Sequence, residues 1–332
     1  MNMVRSASWM GLCALLLGVL AAGAVGADTK GLSADPAKAG PDFAVQGEYA
    51  GEVETGEGKA KFGVQIIALG EGKFHGVGYP GGLPGEGWNQ QEKMEADGQM
   101  KDGVPTFDAG EGRKATIKEG AIIISEADGS VIGKLKKVDR KSPTLGAKPP
   151  KGAVVLFDGT TADNFQGGRL TKCGVLKEGA TSKEKFGSFT IHVEFRTPFM
   201  PAARGQGRGN SGFYAQGRYE VQILDSFGLA GKSNECGGIY GVSDPAVNMC
   251  LPPFSWQTYD VDFTAAEYKD GKKVKNARMT VRHNGVVVHK DVEVPRTTTG
   301  APVREGAEPG PIFLQNHGCP VRFRNIWVVP KK

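Results

Sequence analysis

Between Phe43 and Val329 the apolar residues recur at every second position in short runs, and no amphipathic helical spacing lasts beyond two turns. Ser188–Thr197 shows the pattern. Phe189, Ile191, Val193 and Phe195 fall on one face, and Thr190, His192, Glu194 and Arg196 on the other. Such alternation belongs to a strand with one face in a core. Similar runs are Ala60–Ile67, Lys73–Tyr79, Lys114–Ile117, Ala121–Ser125 and Val131–Lys136 in the first half. Ala153–Phe157, Phe213–Leu224, Gln257–Thr264, Ala277–His283, Val286–Asp291, Gly310–Gln315 and Val321–Val329 follow in the second. The punctuation agrees. Fifty of 332 residues are glycine, about twice the usual share of about 7%, with no collagen-like period. Asn284-Gly285 between two apolar runs is a strong hairpin signal. The chain is therefore expected to be all-β.

Gly56-Glu57-Gly58-Lys59, Gly70-Glu71-Gly72-Lys73 and Gly110-Glu111-Gly112-Arg113 look superficially like phosphate-binding loops. Neither the Gly-x-x-x-x-Gly-Lys-Ser/Thr spacing nor a following helix is present, so hairpin turns are the better reading. Pro80–Trp88 is a longer loop in which Trp88 is a candidate exposed aromatic.

Composition shifts divide the chain. Residues 1–27 carry Arg5, an apolar run from Trp9 to Val19 and Val25-Gly26-Ala27 before Asp28, the pattern of a secretory signal peptide. The apolar run is shorter than the roughly 20 residues of a spanning helix. Residues 28–41 read as a flexible leader, 42–138 as a small β domain and 139–152 as a Pro/Lys-rich linker. Strands recurring over 153–332 suggest a two-sheet sandwich or jelly roll. The mature protein is expected to be exported, periplasmic or at the cell surface, with no membrane span. Its net charge of +5 is interspersed rather than clustered, which argues against nucleic acid as a partner.

Of five cysteines, Cys13 lies in the signal segment. Cys173, Cys236, Cys250 and Cys319 would meet an oxidising compartment, so disulfides are expected. Cys236–Cys250 would close a local loop, and Cys173–Cys319 is the second candidate. No Cys-x-x-Cys spacing supports zinc instead.

Polar side chains mark the functional surface. His192, Glu194 and Arg196 stand about 7 Å apart along one strand face. Glu220 and Gln222 repeat that pattern within RGNSGFYAQGRYEVQILDS (Arg208–Ser226), and Phe313, Gln315 and His317 do so in a third strand. Each group alone is as readily structural. Together they suit a sugar, whose hydroxyls need both donors and acceptors.

Several motifs occur in order: VVLFDGTTADNF (Val154–Phe165), KFGSFTIHVEFRTP (Lys185–Pro198), GNSGFYAQGRYEVQILDSFG (Gly209–Gly228), CGGIYGVSDPAVNMCLPP (Cys236–Pro253), WQTYDVDF (Trp256–Phe263), HNGVVVH (His283–His289) and GPIFLQNHGCPVRFRNIWV (Gly310–Val328). This series resembles the 3-keto-disaccharide hydrolase family over about residues 155–330. The resemblance implies a concanavalin A-like β-sandwich and an exported enzyme acting on glycosides oxidised to a ketone at C3. Phe165 stands where the family usually has Trp, and the stretch before Cys173 lacks a Trp-x-Val strand. Residues 42–138 lie outside the resemblance.

A C3 ketone acidifies the C2 proton, so removing it allows elimination of the C1 leaving group and then addition of water. This needs a base and a stabiliser of the oxyanion rather than the paired carboxylates of an ordinary glycosidase. The candidate catalytic residues are Glu194, Glu220 and His317. Candidate substrate contacts are His192, Arg196, Asn210, Tyr219, Gln222 and Gln315. A divalent metal held by Glu, Gln or His would also stabilise the enolate. The competing reading is a carbohydrate-binding sandwich without turnover, since sandwiches host both functions.

Overall fold

A computed structural model describes residues 33–331. The expected signal segment and the start of the expected leader lie outside the described residues. The end of that leader is docked rather than loose, because Ser33 and Phe199 exchange both backbone hydrogen bonds, at 2.9 and 3.0 Å. Among the described residues no helix is long and apolar enough to cross a membrane.

Eight strands between Gly47 and Val138 run up and down and close into a barrel. The first, Gly47–Thr55, pairs with both the second, Gly58–Gly70, and the last, Val131–Val138. All three Gly-Glu-Gly-Lys/Arg segments are turns between paired strands. At one of them Glu71 and Gly72 take φ of 55° and 68°, the left-handed pair that a tight hairpin requires. Tyr49, Ile66, Phe74, Phe107 and Leu135 point inward as the barrel's core. Ile67, Val77, Tyr79 and Leu83 instead join the core of the second unit, so the two halves share apolar packing. Trp88 is half-buried and packs edge-on against Tyr79, with ring centroids 5.0 Å apart.

The second unit is a sandwich of a five-stranded and a seven-stranded sheet. The first orders Phe165–Gln166, Ala180–Phe186, Gly310–Leu314, Ser211–Ala215 and Tyr219–Ile223. The second orders Leu176–Lys177, Arg322–Pro330, Phe189–Arg196, Gln257–Thr264, Ala277–His283 and Val286–Val294, with Val154–Phe157 also on Arg322–Pro330. Phe189, Ile191, Val193 and Phe195 from one sheet meet Phe213, Tyr219, Val221 and Ile223 from the other in a single core. Phe165 lies in that core, 4% exposed, so the family's missing Trp is a packing position in this chain. Asn284-Gly285 forms the expected hairpin, with φ of 50° and 81°.

Segment 139–152 is not a free tether. Ser142 Oγ and Thr258 Oγ1 are 2.6 Å apart, Thr144 Oγ1 donates to Asp260 Oδ2 at 2.7 Å, and the Gly146 N–H donates to Glu194 Oε1 at 2.6 Å. The Ala147 carbonyl accepts from Asn325 Nδ2 at 3.0 Å and Trp327 Nε1 at 3.1 Å. The linker is thereby clamped to the outer face of the seven-stranded sheet.

Candidate active site

The hairpin Ser211–Ala215/Tyr219–Ile223 builds the centre of the site. Its turn places Gln216 and Gly217 at φ of 53° and 62°, and its register pairs Gly212 with Gln222 and Tyr214 with Glu220. Directly paired residues share a face, so Gly212, Tyr214, Glu220 and Gln222 all point away from the core. Tyr219 takes the opposite face. It packs on Phe263 with ring centroids 5.7 Å apart, and its hydroxyl donates to Glu305. The sequence grouped Tyr219 with the sugar contacts; alternation instead puts it in the core.

Glu220 lies flat over Gly212. A Cβ at residue 212 would sit 2.2 Å from Glu220 Oε1, so glycine is needed there to seat the carboxyl. Glu220 is only 2% exposed. Burial pushes its carboxyl up to about 8, against the opposing effect of a hydrogen bond from Tyr214. Gln315 Nε2 donates to the Tyr214 hydroxyl at 3.1 Å, and that hydroxyl reaches the Thr299 carbonyl at 3.2 Å. Thr298 Oγ1 accepts from the Glu220 N–H at 3.0 Å, so the Thr298–Gly300 stretch folds onto this face.

An amide chain continues beside it. Gln206 Oε1 accepts from Gln222 Nε2 at 2.9 Å and from Asn210 Nδ2 at 3.0 Å. Asn210 is 2% exposed, yet its Oδ1 has no hydrogen-bond partner. A buried acceptor without a partner is an exception that calls for a reason. His317 is exposed in the turn beyond Gln315, past the end of the strand at Leu314.

Glu194, His192 and Arg196 are elsewhere. They occupy the outer face of the seven-stranded sheet, with the whole sandwich core between them and Glu220. Glu194 accepts from Gly146 N–H, from Arg324 Nε at 2.6 Å and from Asn325 Nδ2 at 2.9 Å. Burial opposes its ionisation, but bonds from His192, Asn325, Gly146 and Arg324 outweigh it and hold the carboxyl at about 2. His192 stacks on Trp327 and meets Asp260 at 2.6 Å. Burial lowers its basicity, but the Asp260 and Glu194 carboxylates raise it further. Arg196 lies over Trp256, 5.1 Å from the ring centroid. Glu194 directly, and His192 through Asp260 and Trp327, seat the linker. The three-strand site read from the sequence therefore divides: Glu220, Gln222, Asn210 and Gln315 remain on the strands and loop of one sheet, and Glu194, His192 and Arg196 leave it.

Tyr214 and Gln206 were missed. The signal for Tyr214 was available, because hairpin register across Gln216-Gly217 sets it opposite Glu220. Gln206 lies in a Gly-rich loop and left no periodic signal.

The cysteines also correct an expectation: all four are free. Cys236 and Cys250 are buried and hydrogen-bonded side by side, so the local pairing brings thiols together without a bond. Cys173 is exposed, whereas Cys319 is buried with Sγ 3.6 Å from the Gly207 carbonyl. Among the described residues no group of three or more His, Cys, Asp or Glu is arranged to hold a metal.

A family model described as a 3-keto-alpha-glucoside-1,2-lyase-like domain matches residues 152–329. A crystal structure of a "putative glycosyl hydrolase" from Parabacteroides distasonis ATCC 8503 is 32% identical, covers 55% of this chain and 85% of its own, and superposes with a TM-score of 0.50. Another protein so described, from the same organism, is 18% identical over 55% of this chain and 95% of its own, with a TM-score of 0.40. No curated protein matches.

Proposed function

Because this chain belongs to the 3-keto-alpha-glucoside-1,2-lyase-like domain family, we propose that it is an exported enzyme that cleaves 3-keto-glycosides at Glu220. The observation that carries the reading is the buried Glu220 carboxyl, raised to about 8 and seated over Gly212 beside Tyr214. A carboxylate with so high a pKa is a far stronger base than an ordinary one, and proton transfer works best when that pKa lies near the operating pH. In its ionised form Glu220 takes the C2 proton. The electron pair left behind spreads over C2, C3 and the C3 oxygen as an enolate. That pair then forms the C1–C2 double bond as the C1–O bond breaks, and the leaving oxygen takes a proton. Water added across C1 and C2 returns the free 3-keto sugar.

The neighbouring groups suit binding and orientation. The open Asn210 Oδ1 accepts from a sugar hydroxyl. The half-buried Gln315 amide belongs to the same face, Gln222 fixes Gln206 through its Nε2 at 2.9 Å, and the Tyr214 hydroxyl holds the Glu220 carboxyl. His317 is exposed beyond the end of the same sheet, and we assign it no further step. Glu194 has no part in this step; its lone pairs are taken up by the linker and Arg324.

The test is incubation with a 3-keto-glucoside, following loss of the glycoside, for the native chain and for Glu220→Gln. Turnover by the native chain that is lost in the variant, with folding intact, supports the reading. Saturable sugar binding without turnover would make the sandwich a binding module instead. Neither turnover nor binding would overturn both.

A further inference from the structure

The barrel contains an apolar cavity, unlike the polar face around Glu220 in composition. We infer that the barrel interior is a binding site for a neutral aromatic molecule. One half of the barrel is filled in the ordinary way: Tyr49, Phe74 and Leu135 meet at the centre, and Phe43 and Val45 of the short helix Pro41–Val45 pack against them. The other half is not filled. Its inward positions carry Ala96 and Ala115 together with Gly76 and Gly78, over which Phe107 and Phe62 lean, and a cavity of about 430 Å³ remains between Phe62, Phe107 and Ile124.

An eight-stranded barrel is just wide enough to be filled by side chains or to hold one small ligand. Here the space left after Phe62 and Phe107 have packed over the inward glycines selects the second outcome. The volume lies in the range of small-molecule pockets, about 300–1,000 Å³. An apolar cavity of about 150 Å³ stays dry and takes up benzene. This one is nearly three times larger, which gives room for roughly two or three rings. Left empty, its lining would lose dispersion contacts over its whole surface.

The lining states the class. Phe62 and Phe107 present ring surfaces, and the Met94 thioether lies at the mouth, 48% exposed. Rings and thioether both favour an aromatic guest. Three charges near the mouth are paired, Arg113 with Glu126 at 3.1 Å, Glu54 with Lys59 at 3.5 Å and Glu95 with His75 at 3.5 Å, and Lys61 also borders the opening. Inside the mouth the ring and alkyl lining offers a charge no partner, so burying one there is costly, whereas a neutral guest carries no such cost.

The experiment titrates the purified chain with N-phenyl-1-naphthylamine, a neutral aromatic whose fluorescence rises in apolar surroundings. One saturable site is expected, with competition by 2-naphthol. Ala115→Phe and Ala96→Phe each place a ring into the cavity and should weaken binding at least about tenfold, while Glu220→Gln should leave it unchanged. Thermal melting checks that each variant folds; if Ala115→Phe does not, Ala96→Phe decides. The proposal is overturned if no saturable signal appears or if folded cavity variants bind as the native chain does. It is likewise overturned if dodecanol displaces the probe and 2-naphthol does not. Because the sugar face and the barrel are assayed separately, failure of one reading leaves the other standing.

Discussion

Glu194 and Glu220 are both buried glutamates on strands of one sandwich, yet they have opposite characters. Glu194 receives donors from the linker backbone, Arg324 and Asn325 and is held at about 2. Glu220 has a hydrogen bond from Tyr214 and is pushed to about 8. Burial disfavours ionisation at both, so the number of donors decides. The carboxylate whose lone pairs are filled is a structural anion, permanently charged and unable to take a proton at neutral pH. The one left undersupplied can exchange a proton in the working range. Environments that push two like groups apart in this way separate structural roles from acid–base roles.

The comparison is sharpened most by exchanging each group for its amide. Glu220→Gln should cut turnover of a 3-keto-glucoside by about 10²–10⁴-fold, the range for removing a general base. It should not lower the melting temperature at pH 9, because it removes a buried charge. The pH dependence follows with a definite sign. Glu220 has a folded pKa of about 8, above its ordinary value of 4.5, so the folded state holds the proton more tightly. Its contribution to stability is full below about pH 4.5 and is lost as pH rises through 8. Activity runs the other way: kcat/KM should rise with pH and level off above about 8. A falling limb there would show that the protonated carboxyl is the working form.

Glu194→Gln should behave in the converse manner. It removes the anion from a buried, multiply bonded site and sets an amide N–H₂ against existing donors. The expected loss is on the order of 3 kcal/mol of stability, measured by denaturant unfolding at pH 7. In the native chain the same anion stabilises fully above about pH 4.5 and loses that contribution as pH falls towards 2. Once the variant is folded at low temperature, its turnover should stay close to native. Loss of turnover at full folding would return Glu194 to the chemistry.

Much of this was visible in the chain before any coordinates. Period-two alternation gave the sandwich strands, and Asn284-Gly285 gave its hairpin. The barrel strand Met94–Lys101 escaped because its inward residues include Ala96 and Gly98, which carry little apolar signal, and its outward ones are polar. The candidate site residues divide between two surfaces for a physical reason. Alternation tells which residues share a face of one strand; it does not tell which outer surface of a two-sheet sandwich that face belongs to. His192-x-Glu194 and Glu220-x-Gln222 have the same pattern and opposite addresses. The segment that distinguishes them, 139–152, read only as a Pro/Lys-rich linker because several of its docking contacts run through backbone groups such as Gly146 N–H and the Ala147 carbonyl. Tertiary backbone contacts leave no periodic trace in sequence.

The smallest expected effect tests that clamp directly. Trp327 Nε1 donates to the Ala147 carbonyl at 3.1 Å, and the indole stacks on His192 with ring centroids 5.3 Å apart. Trp327→Phe keeps an aromatic face but removes the donor. Asn325 still donates to the same carbonyl, so the carbonyl is not left bare. The cost should be about 1 kcal/mol, the net worth of one hydrogen bond. Hydrogen exchange should speed at Gly146 before it speeds in the Tyr219–Ile223 strand, because the linker opens locally while the sheet stays closed. Equal acceleration at both would mean that the linker and the Glu220 face are one cooperative unit, and the contrast between the two glutamates would then not be a contrast between independent surfaces.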